Sequence, residues 1–130
     1  MVQQPKAHTK VSYLTIIARF LFLILGAFIL KAYFFPISRK FHFTRSDEVM
    51  HFTGFAILGL MLAIAFPKYK AALNIWFIIF FGIILELGQP LLTARRELSI
   101  TDMIANGSGG LIGYGLGTII VYAVLSQLQK

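Results

Sequence analysis

Residues 86–113, ELGQPLLTARRELSITDMIANGSGGLIG, place carboxylates, arginines and an asparagine between two strongly apolar runs. A carboxylate within an apolar membrane helix costs roughly 2.5 to 3.5 kcal/mol on insertion scales, so Glu86, which follows three aliphatic residues, requires a polar partner. Asp102 and Asn106 are four residues apart and therefore share one face of the next predicted helix. We expect these three side chains to form one polar cluster.

The composition of the chain is that of an integral membrane protein. Of its 130 residues 58% are hydrophobic and 13% are charged, whereas a soluble domain carries about 25% charged residues. There is no cysteine, which excludes disulfide bonds. The net charge of +7 comes from short basic groups between apolar runs, a distribution that argues against a nucleic-acid partner and for anchoring at the membrane surface.

Four apolar segments are long enough to cross a membrane, for which about 20 residues suffice. The predicted spans cover about residues 11–35, 47–66, 71–91 and 100–125. Residues 1–10 are polar and basic and are predicted to form a tail on the membrane surface. We interpret the first span as retained rather than as a signal peptide, because no small-residue cleavage site precedes Pro36. The sequence thus predicts an all-α fold, a bundle of four antiparallel transmembrane helices in a single domain over residues 11–130.

The fourth predicted helix carries two further signals. Ser99 is expected to cap it, and Asp102 three residues later fits the acidic partner of a capping box, which is the simplest structural role for Asp102. Small residues then repeat every four positions, a pattern that lets transmembrane helices approach closely. They are Ala105, Gly109, Gly113 and Gly117. We expect this glycine stripe to pack within the bundle, with a homodimer through Gly109, Gly113 and Gly117 as the alternative.

Because consecutive spans cross the membrane in opposite directions, the ends of spans one and three and the starts of spans two and four lie at one membrane face. All five acidic residues of the chain and five other polar residues fall there: Asp47, Glu48, His51, Glu86, Gln89, Arg95, Arg96, Glu97, Asp102 and Asn106. Lysines and arginines are nearly evenly divided between the faces, so the positive-inside rule does not orient the chain. We predict both termini inside, because the lysines of the opposite face lack carboxylate neighbours.

His51 is the only histidine within a predicted helix. It lies four residues after Asp47 and three after Glu48, so either carboxylate of the same helix could orient its ring. An interfacial histidine held by its own helix is the structural interpretation. Histidine beside acids of other helices is the functional interpretation, since imidazole exchanges protons near neutral pH.

Three segments together resemble the VanZ-like membrane proteins, a family named for a protein associated with teicoplanin resistance. They are DEVMHFTGFAILG (47–59), GIILELGQ (82–89) and RELSITDMIANGSGGLIG (96–113), and the resemblance covers about residues 45–115. The corresponding positions are Asp47, His51, Phe52, Glu86, Gln89, Arg96, Ser99, Asp102, Ala105, Asn106 and Gly110. Two features depart from the pattern: Glu48 stands where many relatives have lysine, and residues 93–95 replace the usual Pro-Gly before the arginine.

The resemblance implies a multi-pass protein of the bacterial cytoplasmic membrane that is linked to the cell envelope, but it implies no particular reaction. We favour recognition of the polar head of a lipid or of a lipid-linked envelope precursor, with a contribution to teicoplanin resistance. An arginine fork suits two phosphate oxygens, and amide or carboxylate groups suit sugars. The predicted ligand-binding residues are Asp47, Gln89, Arg95, Arg96 and Asn106.

Two other functions compete with lipid recognition. A membrane-embedded enzyme acting on such a lipid would use His51, Glu86 and Asp102 as its catalytic residues. A proton-coupled transporter component would titrate a buried acid, although four spans are few and no broken-helix pair is visible. Three ligands from three helices would suit a metal, but the spacing matches neither H-E-x-x-H nor a Cys/His signature. We therefore predict no metal and no cofactor.

Overall fold

The computed structural model describes residues 7–34, 46–67, 70–92 and 97–128, which form four α-helices and no strand. The helices are α1 (Ala7–Phe34), α2 (Ser46–Ala65), α3 (Ala71–Leu92) and α4 (Ile100–Leu128). Each is long and apolar enough to cross a membrane. The predicted all-α membrane bundle is therefore confirmed.

The helix ends differ from the predicted spans by a few residues. Helix α1 begins at Ala7, inside the predicted tail, since residues 7–10 contain no proline or glycine that would stop it. Helix α3 continues through Pro90 to Leu92. Proline cannot donate a backbone hydrogen bond to the carbonyl of Glu86 one turn earlier, but near a helix end this removes only a single bond of the ladder.

Helices α2 and α4 run parallel and approach each other most closely. A Cβ atom on Gly109 would overlap the carbonyl oxygen of Phe52, and one on Gly113 would overlap that of Ala56. Gly117 faces the following turn of α2 in the same way. The glycine stripe thus packs within the chain, and a homodimer through these glycines, which stays a prediction, would require α2 to move aside.

Helix α1 packs antiparallel to α2, and α3 packs antiparallel to α4, so that an apolar core forms between the pairs. The largest fully buried apolar side chains are Phe55, Leu58, Ile78 and Leu85. The outward surfaces expose leucine, isoleucine and aromatic side chains, among them Trp76. This arrangement suits a bundle whose outer surface contacts lipid.

The two ends of the bundle carry different polar groups. The end where α2 and α4 begin is called here the polar end. At the opposite end Arg19 Nε donates to the carbonyl oxygen of Ala65 at 3.0 Å, and its guanidinium lies 5.3 Å from the centre of the Phe66 ring. Asn74 Nδ2 donates to the Tyr114 hydroxyl at 3.2 Å. These contacts join α1 and α4 to the ends of α2 and α3.

Candidate functional site

The polar end encloses buried polar side chains from all four helices, called here the polar cluster. Its members are Tyr33, His51, Glu86, Gln89, Asp102 and Asn106. Glu86 and Asn106 have no exposed surface, and Gln89 is 1% exposed. Burial of such groups in an apolar bundle is unfavourable unless they bind one another or a ligand.

Helical spacing explains why these side chains face inward together. Glu86 and Gln89 are three residues apart on α3, and Asp102 and Asn106 are four apart on α4, so each pair lies on one helix face. Gly82 allows the two faces to approach, since a Cβ atom there would lie 3.0 Å from Cβ of Asn106. The expected cluster of Glu86, Asp102 and Asn106 therefore forms across the α3–α4 contact.

The ring of His51 is fixed by side chains of α1 and α4. The Tyr33 hydroxyl contacts His51 Nδ1 at 2.5 Å and donates to Asn106 Oδ1 at 2.7 Å, while Nδ1 lies 3.2 Å from the same Oδ1. The single hydroxyl proton goes to Asn106 Oδ1, which can only accept. In this network Nδ1 therefore donates, and Nε2 is the ring nitrogen that takes no part in it.

The expectation that Asp47 or Glu48 orients His51 is wrong. Both acidic side chains are exposed in the first turn of α2, whereas His51 is 6% exposed and bonded to Tyr33 and Asn106. His51 lies about one helical turn further along α2 than these two residues, where side chains of the neighbouring helices contact its ring. Tertiary contacts thus replace the local contact that the helical spacing suggests.

Ser99 caps α4 as predicted, and its Oγ accepts from the backbone N–H of Asp102 at 3.2 Å. The other half of the expected capping box is not formed by Asp102. Instead the backbone N–H of Ser99 donates to Glu86 Oε1 of α3 at 3.1 Å. The Glu86 carboxyl group thereby lies at the positive end of the α4 dipole, and the Asp102 side chain is not needed for the cap.

His51, Glu86 and Asp102 converge, with one ligand atom from each lying within 4.8 Å of the other two. All three side chains are buried. They belong to three different helices, so bundle packing rather than local sequence brings them together. The structure unites the three residues predicted as a catalytic set, and their catalytic role remains a prediction.

The predicted ligand-binding residues occupy different places. Gln89 and Asn106 lie in the polar cluster, and Asn106 Nδ2 is buried with no hydrogen bond to the described residues. Asp47 is exposed at the start of α2, outside the cluster. Arg95 and Arg96 lie outside the residues that the structure describes.

Tyr33 is the member of the polar cluster that sequence reasoning does not identify. It is 9% exposed and joins α1 to His51 and Asn106. Its only sequence signal is a tyrosine in the last turn of a span that ends at the polar face. Tyrosine at that depth is also a common interfacial anchor, so the signal does not specify an inward orientation.

An open groove lies between the first turns of α2 and α4 and has a volume of about 420 Å³. Apolar side chains form most of its wall, including the exposed Val49, Phe52 and Ile104. Glu48 and Thr101 supply polar groups near its outer end. The groove residues are neighbours in sequence of cluster residues in both helices, since Phe52 follows His51 and Thr101 precedes Asp102.

Comparison with known proteins agrees with this architecture. The family model described as VanZ/LLP1 matches residues 3–121, which include every member of the polar cluster. No curated protein and no solved structure matches the chain. The family match covers nearly the whole sequence, and four helices suited to span a membrane accompany it. The chain is therefore a multi-pass membrane protein that belongs to the VanZ/LLP1 family.

Proposed function

We propose that this protein binds the polar head of a lipid, or of a lipid-linked envelope precursor, in the polar cluster. The hydrocarbon chain would lie in the groove between α2 and α4. The observation that supports this most strongly is that a buried polar cluster and an open, largely apolar groove occur at the same end of the bundle. A molecule that occupies both regions must be amphipathic.

The chemistry of the cluster favours a head group with hydroxyl or amine donors. The carboxylates of Glu86 and Asp102 accept hydrogen bonds, and the buried Asn106 Nδ2 is a donor that lacks a partner among the described residues. Arg95 and Arg96 stand shortly before α4 in the sequence and are the proposed phosphate ligands, because a guanidinium bonds two phosphate oxygens at once.

The proposed cellular setting is a bacterial cytoplasmic membrane, with both termini inside and the polar end facing outward. This orientation gives the cluster access to envelope precursors on the outer leaflet. A protein that binds such a precursor would alter the binding of glycopeptide antibiotics to the same molecule. This is the proposed route to teicoplanin resistance.

Lipid retention tests the proposal directly. Full-length protein is purified in mild detergent, and its bound lipids are identified by mass spectrometry for wild type, Glu86→Gln and the double variant Arg95→Ala, Arg96→Ala. Tyr114→Phe is the matched control, because it removes a hydrogen-bonded hydroxyl at the opposite end. We expect a defined species in wild type and control that is lost from the other two folded proteins. The same lipids in all four proteins would refute head-group binding.

The convergence of His51, Glu86 and Asp102 supports a second candidate, an enzyme that acts on the bound lipid. In this candidate His51 Nε2 would accept the proton of an attacking hydroxyl or water, while Tyr33 and Asn106 hold the ring through Nδ1. Turnover of a host lipid extract by wild type and by His51→Gln distinguishes this candidate from binding alone. Equal, background turnover by both proteins would exclude it.

A further inference from the structure

The sequence spacing predicts no metal site, but from the convergence of the side chains we infer that His51, Glu86 and Asp102 bind a divalent transition-metal ion at the polar end of the bundle. This inference shares the polar cluster with the proposed function but goes beyond it, because metal binding needs no lipid. The three side chains offer one imidazole nitrogen and two carboxylate groups, a donor set typical of metal sites that keep an open position.

The spacing of the donor atoms fits a shared ion. Three atoms, one from each residue, lie within 4.8 Å of one another. Zinc binds nitrogen and oxygen ligands at about 2.0–2.2 Å, which places neighbouring ligands of a tetrahedral site about 3.4 Å apart. The widest pair would therefore close by at most about 1.4 Å from a 4.8 Å separation, a movement within the reach of side-chain rotation.

The orientation of His51 is the second, independent observation. A metal-binding histidine usually donates its other ring N–H to a fixed acceptor, which sets the tautomer and aims the free nitrogen at the ion. Here Nδ1 is held by Tyr33 and Asn106, two residues that are not themselves among the proposed ligands. With Nδ1 held in this way, Nε2 is the ring nitrogen that we assign to the ion.

Charge and ligand number narrow the kind of ion. When bound to a metal, two carboxylates and a neutral histidine would carry a formal charge of −2, which a divalent cation would offset within the apolar bundle. Calcium takes 6–8 oxygen ligands and magnesium prefers an octahedral oxygen shell, so neither suits this set. Zinc suits it best, and the position opposite the three protein ligands would accept water or a phosphate oxygen.

Metal titration tests the site on full-length protein in detergent after removal of metal with a chelator. Zn²⁺ affinity is measured by competition with a chromophoric chelator, and Co²⁺ is added separately because its visible spectrum reports coordination. We expect one Zn²⁺ per wild-type protein and a Co²⁺ spectrum of a site with nitrogen and oxygen ligands. His51→Gln and Asp102→Asn should both lose that site. Tyr33→Phe should weaken Zn²⁺ binding by roughly 10-fold, since it removes a partner of the ligand and not a ligand.

Controls distinguish the site from general attraction of cations to an acidic surface. Glu48→Gln removes an exposed carboxylate at the same end and should leave Zn²⁺ affinity unchanged. Binding that is absent from wild type, or equally tight in wild type, His51→Gln and Asp102→Asn, would overturn the inference. Lipid retention is measured on the same samples, so that metal binding and head-group binding are tested separately. A protein that binds no metal but retains its lipid would refute the metal site and leave head-group binding intact.

Discussion

Substitution of Gly113 by alanine tests whether close α2–α4 packing sets the stability of the bundle. The new Cβ would overlap the main-chain carbonyl oxygen of Ala56, and a main-chain atom cannot yield as a side-chain tip can. Forced overpacking costs roughly 1–3 kcal/mol, whereas alanine in place of glycine within a helix gains roughly 0.5–1 kcal/mol where space is free. We therefore expect Gly113→Ala to lower the free energy of unfolding despite its better helix propensity.

Gly115 provides the matched control two residues away on the same helix. No heavy atom lies within 4 Å of a Cβ placed there, so Gly115→Ala should keep or raise stability. The two variants should differ by about 2 kcal/mol, which is more than tenfold in the unfolding equilibrium constant. Unfolding is followed by helical circular dichroism during titration of mixed micelles with dodecyl sulfate. Equal midpoints for the two variants would refute the close contact between α2 and α4.

Three further substitutions test contacts at the ends of the helices. Tyr33→Phe removes the hydroxyl that joins His51 to α4 and should lower the free energy of unfolding by about 1 kcal/mol. It should also shift the His51 ring resonances in NMR spectra, and unchanged resonances would contradict the contact. Arg19→Leu keeps an apolar side chain but loses the hydrogen bond to the Ala65 carbonyl oxygen at the end of α2. The midpoint of thermal unfolding in detergent should fall, and an unchanged midpoint would argue against this hydrogen bond. Ser99→Ala removes the N-cap of α4 at a cost of about 1 kcal/mol by denaturant titration, and full stability would show that Glu86 alone closes the helix end.

The membrane architecture could be predicted because the cost of burying polar groups in lipid leaves a strong pattern. Long apolar runs identify the four spans, and helical spacing places Asp102 and Asn106 on one face. The carboxylate of Glu86, deep in an apolar run, indicates that α3 must meet polar partners there. Each of these signals lies within a single helix, and the structure agrees with each of them.

Contacts between segments were less predictable. The glycine stripe indicates which face of α4 is closely packed, but not that α2 is the helix packed against it. The capping box predicts a partner for Ser99 within α4, and Glu86 of α3 takes that position instead. Local spacing likewise suggested Asp47 or Glu48 as a partner of His51. In the last two cases a side chain distant in the sequence offers a hydrogen bond that the local pattern cannot reveal.

The glycine stripe and the polar cluster are parts of one arrangement. Gly109 lies against the carbonyl of Phe52, the residue after His51, and it stands three residues after Asn106 on α4. A close backbone contact of the α2–α4 pair therefore lies within one helical turn of the hydrogen bond between His51 and Asn106. Because that contact joins main chain to main chain, it fixes the height of α2 relative to α4 more firmly than side chains alone could. The geometry of the polar cluster thus depends on residues that carry no polar side chain. A larger residue in the glycine stripe would move α2 away from α4 and break the hydrogen bond between His51 and Asn106, although it contacts neither residue.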